Sequence, residues 1–224
     1  MNFFRILLLF AIICQLLACH DLQKNNCFSL ERGDLLFQDL DSDSISDAIE
    51  EVTGGKDHLS FSHVGIVDVN SKGDTVVLEA ISKGVCYTLL DSFFKRSTTV
   101  NHQAKVEVGR LKPEFIPLIP EALEKGKKLI GKTYDDAYVM GDSSYYCSEL
   151  IYEIFKTKED SLCVFELQPM TFKNTITGDF LPFWIEYYQK LGVEIPEGNP
   201  GLNPNGMSGS PNINMVYSYH SIHK

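Results

Sequence analysis

Cys147 stands where the chain changes character. A polar loop holding Gly141, Asp142, Ser143 and Ser144 ends there, and an apolar-periodic segment begins. Leu150, Ile151, Ile154 and Phe155 recur at helical spacing, which predicts a helix with one buried face and puts Cys147 at or near its first turn. The unsatisfied N–H groups and positive dipole end of such a turn lower a thiol's pKa, and the resulting thiolate is the nucleophile of cysteine hydrolases. The plainer account is that a cysteine among apolar residues is a small core side chain. Position alone does not choose, because a reactive thiol also needs a base and the base needs an orienting group.

Of the six histidines, only His63 lies inside a well-signalled strand. His20, His58 and His223 fall in loops, and His102 and His220 carry weaker signals. Residues 62–69, Ser-His-Val-Gly-Ile-Val-Asp-Val, and 75–81, Thr-Val-Val-Leu-Glu-Ala-Ile, read as two strands joined by the turn cluster at 70–74. Opposed residues of such a hairpin share a face. His63 and Glu79 oppose one another if the pairing is symmetric about residue 71, with an odd-numbered loop; an even loop slips the register and separates them. The pairing is permitted, not forced. Glu79 is itself unusual among Val76, Val77, Leu78, Ala80 and Ile81. A carboxylate there either points to solvent from a one-sided sheet or is buried with a partner. A His–carboxylate pair would orient the imidazole and favour its charged form. Gly65, on the face of His63, is expected to let the Cys147 helix approach.

These elements sit in a chain of 224 residues with net charge −10, long enough for one domain with a real core. The negative charge argues against nucleic acid and against charge-driven adhesion to anionic lipid. Arg5, the apolar run Ile6–Ile13 and the small residue Ala18 describe a signal peptide over residues 1–18, too short for an ordinary membrane span. Residues 19–31 read as a polar tether and 32–224 as a single domain. Gly33–Phe37 is expected as the first strand, followed by a short helix through Ile45, Ala48, Ile49 and Val52 that ends at Gly54-Gly55. Strands at 84–89 and 105–111 flank a helical turn at 91–95. Helices at 120–130 and 179–191 follow, the second aromatic and assigned to the core. Residues 196–214, dense in Pro, Gly, Asn and Ser, read as an irregular loop on the rim of the cleft, with a last strand near 216–219. The spacing of Cys27, Cys86, Cys147 and Cys163 fits no metal pattern, and a free Cys147 leaves room for at most one disulfide among the others.

Two resemblances add to this. Leu16-Leu17-Ala18-Cys19 resembles the lipobox of bacterial lipoproteins, which implies cleavage before Cys19, lipid attachment to its sulfur and an exported, membrane-anchored protein of the cell envelope. Gly33-Asp34-Leu-Leu-Phe37, Ser62-His63-Val-Gly-Ile66, Leu78-Glu79-Ala80, Gly131-Lys-Thr-Tyr134-Asp135 and Tyr146-Cys147-Ser148-Glu149, in that order, resemble the permuted papain-like amidases, the YiiX/YebB-like branch of the NlpC cell-wall peptidase superfamily. The resemblance covers roughly Arg32 to the end. It implies an α+β, circularly permuted papain-like (NlpC-type) fold, with a bent antiparallel sheet packed against the Cys helix and the His strand preceding it. It implies Cys147 as nucleophile, His63 as general base, Glu79 as the group that orients it and Tyr134 as an oxyanion donor, with no metal or organic cofactor.

The resulting expectation is an exported cysteine hydrolase that cleaves an amide through a thioester. Its substrate would be a cell-wall peptide or an acylated amino acid or lipid amide. The alternatives are an acyltransferase on lipids using the same Cys–His pair, and a non-catalytic lipoprotein that binds cell-wall fragments. A zinc site from Cys147, His63 and a carboxylate is weaker, since a lone Cys and a lone His at this separation form no metal signature. Oligomeric state is not legible.

Overall fold

The structure is a computed structural model that describes residues 28–40, 44–54, 60–141, 143–157 and 164–220. The leader, Cys19, Cys27, Cys163, His20, His58 and His223 lie outside the described residues. Chain packing divides the protein at Leu30/Glu31, and every strand and helix among the described residues belongs to the unit from Glu31 onward.

The strands of this unit are β1 Leu35–Gln38, β2 His63–Val69, β3 Thr75–Ile81, β4 Gly84–Leu89, β5 Val106–Leu111, the two-residue β6 Gln168–Pro169 and β7 Pro200–Gly201, and β8 Ile213–Ser218. The helices are α1 Ser44–Thr53, α2 Leu90–Lys95, α3 Ile119–Leu129, α4 Cys147–Phe155, α5 Pro182–Leu191 and α6 Pro204–Ser208. Among the described residues, six strands form one sheet in the order β4-β3-β2-β1-β5-β8, every neighbouring pair antiparallel. This is the α+β arrangement expected. Alternation along β2 and β3 turns Val64, Ile66, Leu78 and Ala80 into one core with Leu150, Ile151 and Ile154 of α4 and Leu123 of α3. A second core gathers Ala48 and Val52 of α1 with Tyr138, Tyr146, Phe172, Trp184 and Tyr188. Its rings meet edge to face, Phe172–Trp184 at 5.2 Å and Tyr138–Trp184 at 6.0 Å.

The hairpin loop is odd, as required, but the register differs from symmetry about residue 71. Val69 pairs with Thr75 and Ile66 with Leu78 across the five-residue loop 70–74. Continued by one residue, this sets Glu79 level with Gly65 and diagonal to His63 on the same face. Gly65 therefore does a different job from the one expected. A Cβ there would collide with Val77 Cγ1 and come within 3.4 Å of Glu79 Cβ. The glycine makes room for β3 side chains rather than for the Cys147 helix, which packs against the alternate residues Val64 and Ile66.

Two boundaries also move. α5 starts at Pro182, not Asp179, because proline is suited to the first helical position, and Gly192 in the left-handed region (φ 73°) ends it. The segment 196–214 is more ordered than its composition suggested. Asn203 accepts from Gly206 N–H at 2.7 Å and caps α6, with Pro204 at its first position, and the last strand begins at Ile213. Buried Asn205 then accepts from Phe61 N–H and donates to Thr53 Oγ1, both at 2.8 Å, tying this segment to α1 and to the approach of β2. Asn205→Ala, which leaves the buried Phe61 N–H unpaired, is expected to cost about 1–3 kcal/mol in chemical denaturation.

Candidate active site

Cys147 is the first residue of α4, as its spacing predicted, and only 5% exposed. Tyr146 occupies the N-cap position in extended conformation, and its side chain caps none of the first-turn N–H groups, so the positive end of the helix dipole lies at Cys147. His63 opens β2, and its ring and the Cys147 thiol are close enough to shift one another's pKa. Ring Nε2 donates to Glu79 Oε2 at 2.7 Å. The structure thus brings together the three residues singled out from the sequence. Glu79 is fully buried, so the solvent-facing alternative for it falls away.

The carboxylate has further partners that sequence reasoning missed. Thr88 Oγ1 donates to Glu79 Oε1, and Arg96 Nη2 donates at 2.6 Å to Oε2, the oxygen that also receives His63. Thr88 lies on β4, two residues beyond Cys86, the residue paired with Glu79; alternation along that strand would have pointed to it. Arg96 follows α2, where nothing in the sequence pattern marks it. Its guanidinium lies 4.6 Å from the centre of the Phe93 ring, and that ring in turn sits 5.9 Å from His63.

The charges respond accordingly. Burial disfavours a charged imidazole, but the hydrogen bonds and charges of Cys147 and Glu79 outweigh it and raise the His63 pKa to about 9. Burial likewise opposes ionised Glu79, yet His63, Arg96 and Thr88 hold its pKa down at about 2. For Cys147, burial is outweighed by His63, by the Ser148 hydroxyl 3.7 Å away and by the Val64 N–H, so its pKa falls below the ordinary thiol value. These shifts all favour a thiolate–imidazolium pair backed by an ionised glutamate.

Tyr134 faces the same space. Burial, then the neighbouring Cys147 charge, push its pKa well above that of a free phenol, so it keeps its proton. Tyr138, whose ring meets that of Tyr134 edge to face at 6.4 Å, is a non-glycine residue at φ 55°. Asp135 holds that turn by accepting from Ala137 N–H at 2.8 Å and Val139 N–H at 2.7 Å. Backbone strain held in place beside a reactive group is a feature of functional sites.

Two cavities flank the pair. One, of about 110 Å³, is bounded by Cys147, Ser148, Ile49, Val52, Met170, Phe172, Trp184 and Leu202. The aromatic helix assigned to the core therefore also walls this space. The second, of about 380 Å³, opens beside His63 and Arg96. Ile49, Ser62, Tyr134 and Tyr138 line both.

A thiol at a helix start, a histidine on a strand of an antiparallel sheet and a carboxylate behind it form the arrangement of papain-like thiol hydrolases, here with the histidine first in the chain. Residues 29–217 match the family described as permuted papain-like amidase enzymes, YaeF/YiiX, C92, and the chain belongs to that family. Family membership supports a cysteine-hydrolase, amidase-like activity. A protein of Escherichia coli K12 described as uncharacterized protein YiiX is 27% identical over 126 residues, 56% of this chain and 57% of that protein. The chain thus spans a little over half the length of that relative. A crystal structure described as metalloprotein YiiX of Escherichia coli O157:H7 shares the fold, with a TM-score of 0.67 at 23% identity, covering 85% of this chain and 98% of that one.

Proposed function

We propose that this protein is a cysteine amidase that cleaves an acyl amide through a thioester on Cys147. The observation that carries the reading is the buried Cys147–His63–Glu79 relay at the edge of an apolar cavity. The thiolate attacks the amide carbonyl, forming a carbon–sulfur bond. The first-turn N–H groups of α4 and the Tyr134 hydroxyl face the developing oxyanion. His63 gives its proton to the amide nitrogen, the carbon–nitrogen bond breaks, and the amine leaves. Neutral His63 then takes a proton from water, hydroxide adds to the thioester carbonyl, and the carbon–sulfur bond breaks to release the acid and restore the thiolate–imidazolium pair. Glu79 orients the ring and stabilises its charge throughout.

Between the substrate classes, the apolar cavity favours an acylated amino acid or lipid amide over a cell-wall peptide. A cavity of about 110 Å³ walled by Ile49, Val52, Phe172 and Trp184 suits the hydrocarbon of an acyl group. Trp184 Nε1 is buried there without a partner.

The name of the Escherichia coli O157:H7 structure raises a metal. The donors here do not suit one: among the described residues no three His, Cys, Asp or Glu side chains are arranged to hold a metal ion, and Arg96 occupies the same Glu79 oxygen as His63.

The reading places the enzyme at the cell envelope, supported by the signal-peptide pattern of residues 1–18 and by the resemblance of Leu16-Leu17-Ala18-Cys19 to a lipobox. Membrane fractionation of the wild type against Cys19→Ala tests the anchor.

The chemistry is tested by mixing the protein with N-hexanoyl-p-nitroanilide, quenching in acid and weighing the peptides. The Cys147 peptide is expected to gain the mass of one hexanoyl group. No adduct on Cys147 during active turnover would refute the thioester.

A further inference from the structure

We infer that the cavity beside His63 receives the amine-bearing half of the substrate, and that Arg96 binds a carboxylate on that half. The inference rests on the amidase reading and specifies its substrate. His63 protonates the departing nitrogen, so whatever that nitrogen carries must lie on the His63 side of the sulfur. Of the two cavities, the apolar one is bounded by Cys147 and not His63, whereas the larger is bounded by His63 and not Cys147. The acyl half belongs to the first and the amine half to the second.

The second cavity is also the more polar. Ser62, Ser82, Asp136, His63 and Arg96 contribute to its wall. Arg96 is the permanent cation among them, and it is only partly used. Nη2 donates to Glu79 Oε2 and Nε is shut off from solvent, which leaves the N–H groups of Nη1 and the second N–H of Nη2 for a ligand. The ion pair with Glu79 and the Phe93 ring hold the guanidinium in place from one side. A planar guanidinium so fixed presents its remaining donors in the fork that matches a carboxylate. Asp136 on the same wall keeps the cavity from being uniformly positive, so recognition falls to the guanidinium itself rather than to a general field. The substrate this describes has an apolar acyl group joined by an amide to an amine that carries a carboxylate. Hydrolysis releases the fatty or short-chain acid and a free amino acid.

The test compares N-hexanoylglycine with N-hexanoylglycinamide, which differ in a carboxylate against a neutral carboxamide. The wild type is expected to favour the carboxylate by roughly tenfold or more in kcat/KM. Arg96→Gln should bring the ratio close to one, and Arg96→Lys, which keeps the charge beside Glu79 but loses the fork, should hold an intermediate ratio. Weaker support of Glu79 slows both compounds alike, so the ratio separates recognition from positioning. A wild-type ratio near one, or a ratio unchanged in Arg96→Gln, overturns the inference while leaving the amidase reading in place. If neither amide is cleaved, the amidase reading fails, and the subsite is judged by calorimetry on the Cys147→Ala protein. Tighter binding of the carboxylate, lost on adding Arg96→Gln, upholds it; equal affinities or no binding overturn it.

Discussion

Cys147→Ala will reduce amide turnover to the uncatalysed background, a loss on the order of 10⁴-fold or more in kcat, while the protein remains folded. The size of the loss follows from the mechanism. Without the sulfur there is no thioester, and His63 has no thiol from which to take a proton. The fold should survive because the thiol is one small side chain in a core whose bulk is Leu150, Ile151, Ile154, Val64 and Ile66. Steady-state assays and far-UV circular dichroism on the same sample check both halves. Turnover retained by a folded Cys147→Ala protein would remove Cys147 from the chemistry.

Glu79→Gln carries the second large effect, on activity and stability together. The substitution keeps the shape and removes the charge that His63 and Arg96 both address. Losing the group that orients a catalytic histidine is expected to lower kcat by roughly 10²- to 10⁴-fold. Breaking a buried ion pair costs about 3–5 kcal/mol. Arg96 is 28% exposed, so solvent takes back part of that, and a loss of about 2–4 kcal/mol is expected. The pH dependence has a definite sign. The Glu79 pKa is lowered on folding, from 4.5 to about 2. The unfolded chain therefore binds its proton first as the pH falls, and the contribution is fully present above pH 4.5 and lost between there and about 2. Denaturant unfolding of both proteins across that window should show their difference shrinking toward acid. A constant difference would mean that Glu79 is not the ionised partner described.

Much of this site was legible from residue types and spacing. The period of Leu150, Ile151, Ile154 and Phe155 puts Cys147 at a helix start, whereas a shared face for His63 and Glu79 is only permitted by the sequence and follows from the odd-numbered loop that the structure shows. The partner residue was less legible, because turn residues at 70–74 admit more than one odd-numbered loop, each keeping the same faces, as well as even loops that would separate the pair. The observed register makes the contact diagonal, with Gly65 as the gap across which it forms. The role of Gly65 was misassigned because alternation says which residues share a face, not which face the helix will cover. Arg96 was out of reach for a different reason. It lies just beyond a six-residue helix, and its meeting with Glu79 depends on how β4 and α2 fold back over the sheet. The short helix α6 lies in a segment whose composition reads as loop; Asn203-Pro204, a capping residue followed by a first-turn proline, is the signal that could have marked it.

The central claim, that His63 holds Cys147 as a thiolate, is tested most directly by the rate of Cys147 alkylation by iodoacetamide as a function of pH, in the wild type and in His63→Ala. Cys86 is the other free cysteine among the described residues, and its pKa is raised by burial and by Glu79, so peptide mapping distinguishes the two. The wild type is expected to react with its thiolate fully formed well below the ordinary thiol pKa of ~8.5, and His63→Ala to move that titration up to or above it. A Cys147 that titrates like an ordinary buried thiol, or one whose profile His63→Ala leaves unchanged, would contradict the relay and the catalytic reading built on it.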